Sequence, residues 1–572
     1  MAQNHIQIEN NKTGTTDWEL TNAAQQREVE GYASMTSINK GERIEFFVNT
    51  SSNEFTATTY RMGWYNGMGG RLVDESAILK GSQQHIPLPD STTGLVACNW
   101  DVSYTLSTTN DWETGVYLTK LQELTTGKQS YIIFVVRDDT LEPDLLFQLP
   151  VTTYQAYNFW GGKSLYNWGS GSTTEWGKKD GKHADKVSFD RPYAGSHNAK
   201  ASYGTGAGDF LTNVAPVTTI GYPISSAGWD YNMVRWLEKN GYDVGYITNV
   251  DTHQNLELLS KTKIFISHGH DEYWSKTMRD NVEKIREKGV NLTFFASNAV
   301  YWQIRFEPST INGTADRTIV CYKEPERDPI QGATTSTNFR EAPVNNPEAA
   351  LLGVQYVNDP VTGDIVISNA DHWIYKGTNL KNGDKLKGLL GYESDALHPS
   401  SPKNTAVLAT SKSINLYKNN YNYIARQNID MIKNKSKNIL VNKLGLNESL
   451  SKNILLILFL VFIGIIIFSE LYILKHSLGL GKLMLALLVI VPICLFLWRV
   501  RSFNKNYAAD FDSHMTIYTH NSKSKVFATG SMQWAWGLDD YNAPKLRKSF
   551  KTEEVSKITK NILKEFGATI DN

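Results

Sequence analysis

At Glu142-Pro143 the hydrophobic pattern of this chain changes its period, and no single architecture accommodates both sides of the change. From about Gln7 to Asp139, apolar and β-branched runs alternate with turn clusters, most clearly at Arg43–Val48, Phe55–Arg61, Gly115–Leu121 and Tyr131–Arg137. This predicts an all-β, immunoglobulin-like sandwich over residues 1–140. Its most unusual stretch is Tyr60–Arg71, where glycines are mixed with Trp64 and Tyr65. The glycines allow tight or left-handed backbone, and the aromatics are expected to cover a sheet face or a neighbouring domain.

Beyond Pro143 short apolar strands alternate with amphipathic helices, which predicts a doubly wound α/β domain: a mainly parallel sheet in three layers. Leu145–Leu149, Tyr242–Thr248, Lys263–Ser267 and Asn291–Ala296 read as strands. Trp229–Lys239 and Ser275–Lys288 read as helices, stopped by Gly241 and Gly289. Open sheets of this kind place ligands beyond the carboxyl ends of their strands, so chemistry is sought there.

The domain is expected in two pieces, 141–414 and 510–572, because residues 415–509 break the pattern. Ile454–Leu474 is an apolar run of 21 residues with one charge, Glu470, and Leu483–Trp498 is one of 16 with none. Their lengths predict an inserted transmembrane helical hairpin in the lipid bilayer. Lys435, Lys437, Lys443, Lys452, Arg499, Arg501 and Lys505 flank it, against Lys475 and Lys482 in its turn. That bias predicts a multi-pass membrane protein with a cytoplasmic catalytic body.

Composition removes other classes. Lys+Arg and Asp+Glu are equal at 58 each, and no basic groove interleaved with aromatics is present, so nucleic acid is not an expected partner. Three cysteines without a CxxC pair provide neither a disulfide framework nor a zinc ribbon. The N-terminus lacks a basic region followed by an apolar run, so no cleaved signal peptide is expected there.

Four polar and aromatic groups remain: Thr152–Tyr166, Ser188–Tyr193, Ser267–Trp274 and Ser297–Trp302. Three of them follow predicted strands of one sheet, so they are expected to share a cleft. Residue types alone leave the chemistry open. His268, His270 and Glu272 supply two imidazoles and a carboxylate, but packing is an equal reading for His268, and tyrosines such as Tyr157 and Tyr193 commonly pack with a bonded hydroxyl.

Taken together, the runs AYNFWGG with SLY, FDRPY, GHDEYW and SNAVYWQ resemble the large (beta) subunit of N,N-dimethylformamidase. The resemblance extends to Gly31–Ser34, to Tyr60–Arg71 and to Val526–Leu538. It implies a hydrolase that cleaves the C–N bond of a small amide-like substrate with one ferric iron. The implied ligands are Tyr157, Tyr193 and Glu272, with Tyr154 a rival for the first position. His270, Asn298 and Lys323 are the implied catalytic residues, and a homo-oligomer with a small subunit encoded elsewhere is the implied assembly.

That set is chemically coherent, because phenolate and carboxylate are hard anionic donors that favour a ferric ion. His270 is then expected to move a proton and Asn298 to hold the carbonyl oxygen. Two other readings stand beside it: a non-catalytic binding or surface-assembly protein of the same fold, and a hydrolase with another metal acting on a glycan or peptidoglycan amide.

Overall fold

Along Arg43–Thr50 and Glu54–Met62 the inward side chains alternate with outward ones, so each strand commits one face to a core. A computed structural model describes residues 3–167, 170, 182–214, 226–414 and 511–570. In it a six-stranded sheet faces a three-stranded one made of Val29–Ala33, Arg43–Thr50 and Tyr104–Ser107. Ile44, Phe46 and Val48 meet Phe55, Tyr117 and Phe134 between them.

The second body is built on a seven-stranded sheet in the order Val244–Thr248, Leu145–Leu149, Ile264–Gly269, Asn291–Ala296, Lys525–Ala528, Phe511–Thr519, Ala406–Ser413. The first five strands pair in parallel and the last two antiparallel. Leu145–Leu149 and Ile264–Gly269 are buried at every position, as strands covered on both faces must be. Helix Lys276–Glu287 packs through Met278, Val282 and Ile285 at helical spacing, and the Ser275 hydroxyl caps it by accepting from the Met278 N–H at 3.1 Å. A four-stranded sheet and the long antiparallel pair Gln355–Val366 with Lys385–Ala396 complete the body.

Packing gathers Met1–Ser413 and Phe511–Asn572 into one compact unit, which the sandwich and the seven-stranded sheet share.

Two expectations are corrected. The doubly wound, mainly parallel, three-layer domain is replaced by a β-rich body of mixed sheets with few helices. The reason lies beyond Ser297, where Trp302–Glu307, Gln355–Val366, Lys385–Ala396 and Ala406–Ser413 are strands and the strand–helix alternation stops. The transmembrane hairpin, and with it a multi-pass membrane location, is not supported either. Among the described residues no helix is long and apolar enough to cross a membrane. The runs at 454–474 and 483–498 lie outside the described residues. An apolar run of sufficient length is necessary for a span but does not by itself make one.

The Tyr60–Arg71 stretch joins the two bodies. Arg61, fully buried, forms a two-pronged pair with Glu238 of helix Asp230–Lys239, at 2.8 and 3.1 Å, and donates to the Thr114 carbonyl at 2.8 Å. Gly63 has to be glycine there, since a Cβ would fall 2.1 Å from a Glu238 carboxylate oxygen. The Trp64 ring faces the Lys239 ammonium at 4.7 Å and the Arg235 guanidinium at 4.9 Å. Glu238→Ala leaves a buried guanidinium without its counter-charge and is expected to cost about 3–5 kcal/mol in urea unfolding. Arg61→Met with Glu238→Leu should be much nearer to wild type.

His5, on helix His5–Asn10, is a second staple, with Nδ1 at 2.8 Å from Glu113 of the sandwich and Nε2 at 2.7 Å from Asp243 of the body. Burial alone would lower its pKa, but the Asp243 and Glu113 carboxylates outweigh burial and raise it from 6.5 to about 9. A raised folded-state value means that the stabilisation is complete below pH 6.5 and is lost as pH rises through about 9. Unfolding midpoints measured across that window should fall by an amount that His5→Gln abolishes.

Candidate functional site

Three loops leave the carboxyl ends of adjacent parallel strands and supply most of the buried polar groups. After Leu145–Leu149 the chain turns at once into helix Val151–Tyr157, every residue of which is buried. Asn249 accepts from the Thr152 N–H and hydroxyl, and the Thr152 hydroxyl also reaches the Tyr273 carbonyl at 2.7 Å. After Ile264–Gly269 the turn is clamped by Asp271, which accepts from Gln148, Asn249 and Ser267. The next residue, Glu272, donates its backbone N–H to the Thr153 hydroxyl, and its carbonyl accepts from the N–H groups of Tyr301 and Trp302. After Asn291–Ala296, Asp395 accepts from the Ser297 hydroxyl at 2.6 Å and the Asn298 N–H at 2.9 Å, fixing Asn298 at φ +52°.

The side chains so held form one cluster. Tyr157 donates to Glu272 Oε2 at 2.9 Å, and the Tyr166 hydroxyl lies 2.9 Å from that of Tyr157 and 3.0 and 3.1 Å from the two Glu272 oxygens. Tyr273 donates to Tyr166 at 2.6 Å. His270 Nε2 stands 3.1 Å from Glu272 and 3.5 Å from Glu393, in ion-pair contact but without an aligned hydrogen bond. Glu393 Oε2 and Asn298 Oδ1 are buried without a hydrogen-bond partner.

The electrostatics separate the two carboxylates. Burial disfavours the charge on both. The His270 imidazole and the Lys323 ammonium overcome this for Glu272 and hold its pKa below the usual value, whereas burial and the charge of Glu272 push Glu393 well up. Burial pulls His270 down, but the Glu393 and Glu272 carboxylates prevail and raise it to about 9. Lys323, at φ +65°, sits in an aromatic cage with its ammonium 3.5 Å from the centre of the Tyr166 ring and 4.8 Å from that of Trp302. Burial lowers its pKa to about 8.

Of the residues expected from the sequence, the structure therefore brings together Tyr157, Glu272, His270, Asn298 and Lys323. The Tyr193 ring stands edge-on to that of Tyr154 at 6.4 Å. Tyr154 itself donates to Asp230, whose other oxygen is 2.8 Å from His268 Nδ1. Sequence reasoning passed over Tyr166, Tyr273 and Glu393. Tyr166 was visible within the SLY run, while Glu393, on a strand far along the chain, has no local signal.

Among the described residues, no group of three or more His, Cys, Asp and Glu side chains is arranged to hold a metal. The oxygens that do converge are those of Tyr157, Tyr166 and Glu272, a phenol and carboxylate set of hard donors. Such a set suits a hard cation.

Fold and site define a class: a β-rich protein on a mixed sheet, with a buried phenol, carboxylate and imidazole cluster of the kind that moves protons in hydrolysis. The chain belongs to the N,N-dimethylformamidase beta subunit-like family, whose C-terminal model matches residues 56–547. That membership points to a dimethylformamidase-like hydrolase. No curated protein matches the chain.

Asp395→Ala should strand the Ser297 hydroxyl and the Asn298 N–H in the interior. The expected loss is about 2–4 kcal/mol in denaturant unfolding.

Proposed function

We propose that this protein hydrolyses the C–N bond of a small neutral amide with the help of one ferric ion held by Tyr157, Tyr166 and Glu272. The observation that carries the proposal is the mutual approach of three hard oxygen donors, within 2.9–3.1 Å of one another, beside a histidine and a second carboxylate. The cation supplies Lewis acidity, which polarises an amide carbonyl and makes water easier to deprotonate.

The chain's own residues do the rest. Lys323, above the face of Tyr166, favours the ionised phenol that a cation requires. His270 takes a proton from water as the water oxygen bonds to the carbonyl carbon and returns it to the amine nitrogen as the C–N bond breaks. Glu393, 3.5 Å from the imidazole, holds the ring in position for both transfers. The Asn298 side-chain amide offers N–H donors to the carbonyl oxygen as negative charge gathers there. The products from N,N-dimethylformamide are formate and dimethylamine.

Purified protein loaded with ferric iron should bind about one ion per chain, show a broad visible band from phenolate-to-iron charge transfer, and release dimethylamine from N,N-dimethylformamide. Tyr166→Phe and Glu272→Ala should lose iron and colour, while Tyr193→Phe should keep both. Glu393→Gln and His270→Ala should keep iron and lose turnover by roughly 100-fold or more. A colourless, zinc-loaded and active protein, or iron loss in Tyr193→Phe alone, would sink the ligand assignment.

A further inference from the structure

Tyr273 follows Glu272 in the chain, is 0% exposed, and has no role in the chemistry proposed for Tyr157, Tyr166 and Glu272. Its hydroxyl donates to the Tyr166 hydroxyl at 2.6 Å, and among the described residues it has no other hydrogen-bond partner. We infer that Tyr273 is a positioning residue that sets the donor strength of Tyr166, through a hydrogen bond to the phenolate oxygen that keeps a bound ferric ion strongly Lewis acidic. The inference rests on the ligand set proposed above and adds to it a residue outside that set.

Distance separates the two roles. The oxygens of Tyr157, Tyr166 and Glu272 stand 2.9–3.1 Å from one another, whereas Tyr273 is 2.6 Å from Tyr166. An O–H group that donates to an ionised oxygen settles at about 2.5–2.7 Å, and one that donates to a neutral hydroxyl at about 2.7–2.8 Å. The donor is also firmly held. Tyr273–Ser275 pairs in parallel with Trp302–Glu307, and the Tyr273 carbonyl accepts from the Thr152 hydroxyl at 2.7 Å. The Tyr273 ring stands edge-on to those of Tyr157 and Tyr166, each at 6.5 Å. With backbone and ring both fixed, the hydroxyl is kept aimed at Tyr166.

A hydrogen bond to a phenolate oxygen draws electron density away from the lone pairs that oxygen shares with a cation. The Lys323 ammonium acts on the same phenol from a second direction, over the ring face at 3.5 Å. Both effects leave more positive charge at the ion, which polarises a carbonyl more strongly. They also lower the energy of the phenolate electrons, so light of shorter wavelength is needed to drive charge transfer to iron. Packing, the commoner role of a buried tyrosine, has no such effect on colour.

The test uses the full chain loaded with ferric iron and compares wild type with Tyr273→Phe, which removes the O–H and keeps the ring. The variant should hold about one ion per chain, with its charge-transfer band moved to longer wavelength. Its kcat on N,N-dimethylformamide should fall about tenfold with KM nearly unchanged. Tyr231→Phe, which removes an equally buried hydroxyl bond to the Gly69 carbonyl outside the cluster, should leave the band in place. Resonance Raman spectra of the wild type give a reading that needs no variant: a phenolate C–O stretch should shift after equilibration in heavy water, because a hydrogen-bonded oxygen senses the exchanged proton. A band unmoved in Tyr273→Phe, an equal shift in Tyr231→Phe, or a stretch insensitive to heavy water would each overturn the role of Tyr273 and leave the ligand set standing. A wild type that takes up no ferric iron, or binds it without a phenolate band, would overturn the ligand set and the role of Tyr273 with it.

Discussion

The parallel ladder that joins Leu145–Leu149, Ile264–Gly269 and Asn291–Ala296 sets these strands side by side in one direction, so three chain segments emerge from the same edge of the sheet. Neighbouring strands are separated by about 4.8 Å, which leaves their loops no room to diverge before side chains meet. Tyr157 comes from the first loop, Glu272 from the second and Asn298 from the third. Each is tied to its neighbour through backbone groups: Thr153 to Glu272, and Glu272 to Tyr301 and Trp302. The position of the Glu272 carboxylate is therefore a consequence of main-chain geometry.

Within that frame, burial makes every charge expensive, and the cluster resolves the cost unevenly. Two carboxylates flank one imidazole, and the nearer of them, Glu272, keeps its charge with help from Lys323. Glu393 is left with the opposite tendency, in contact with the same imidazole at 3.5 Å. Pairs of titratable groups driven apart in this way are what acid–base chemistry at neutral pH requires. Around Glu272 the phenols form a relay, in which Tyr273 donates to Tyr166, and Tyr166 and Tyr157 lie within hydrogen-bond distance of the carboxylate.

The contact between sandwich and body depends on a different device, a buried ion pair. Arg61 and Glu238 gain little net stability against an apolar alternative, but once buried neither tolerates the loss of the other. A second part of the contact needs a close backbone approach, where the Tyr131 N–H donates to the Thr205 carbonyl at 3.0 Å. Gly206 shows the constraint: at φ +86°, with a would-be Cβ 2.2 Å from the Tyr131 carbonyl oxygen, it permits a backbone approach that no other residue allows.

The sequence by itself determined the local elements and the loops that matter. Asn291–Ala296 and Leu145–Leu149 are strands between the residues expected, and Ser275–Lys288 differs from the helix Lys276–Glu287 only at its ends, because periodicity and capping are encoded in neighbouring residues. The motifs around Tyr157, Glu272 and Asn298 likewise carried the family. Tertiary structure decided the rest. Tyr166 ends a motif that the sequence offered, and only the long-range path of its loop brings its hydroxyl to Glu272. Glu393 joins the cluster from a strand more than a hundred residues away from Glu272 in sequence, on an antiparallel pair that local alternation did not reveal. The mixed sheet has the same origin, since a strand's pattern records which faces are buried but not the direction of the neighbour it will pair with.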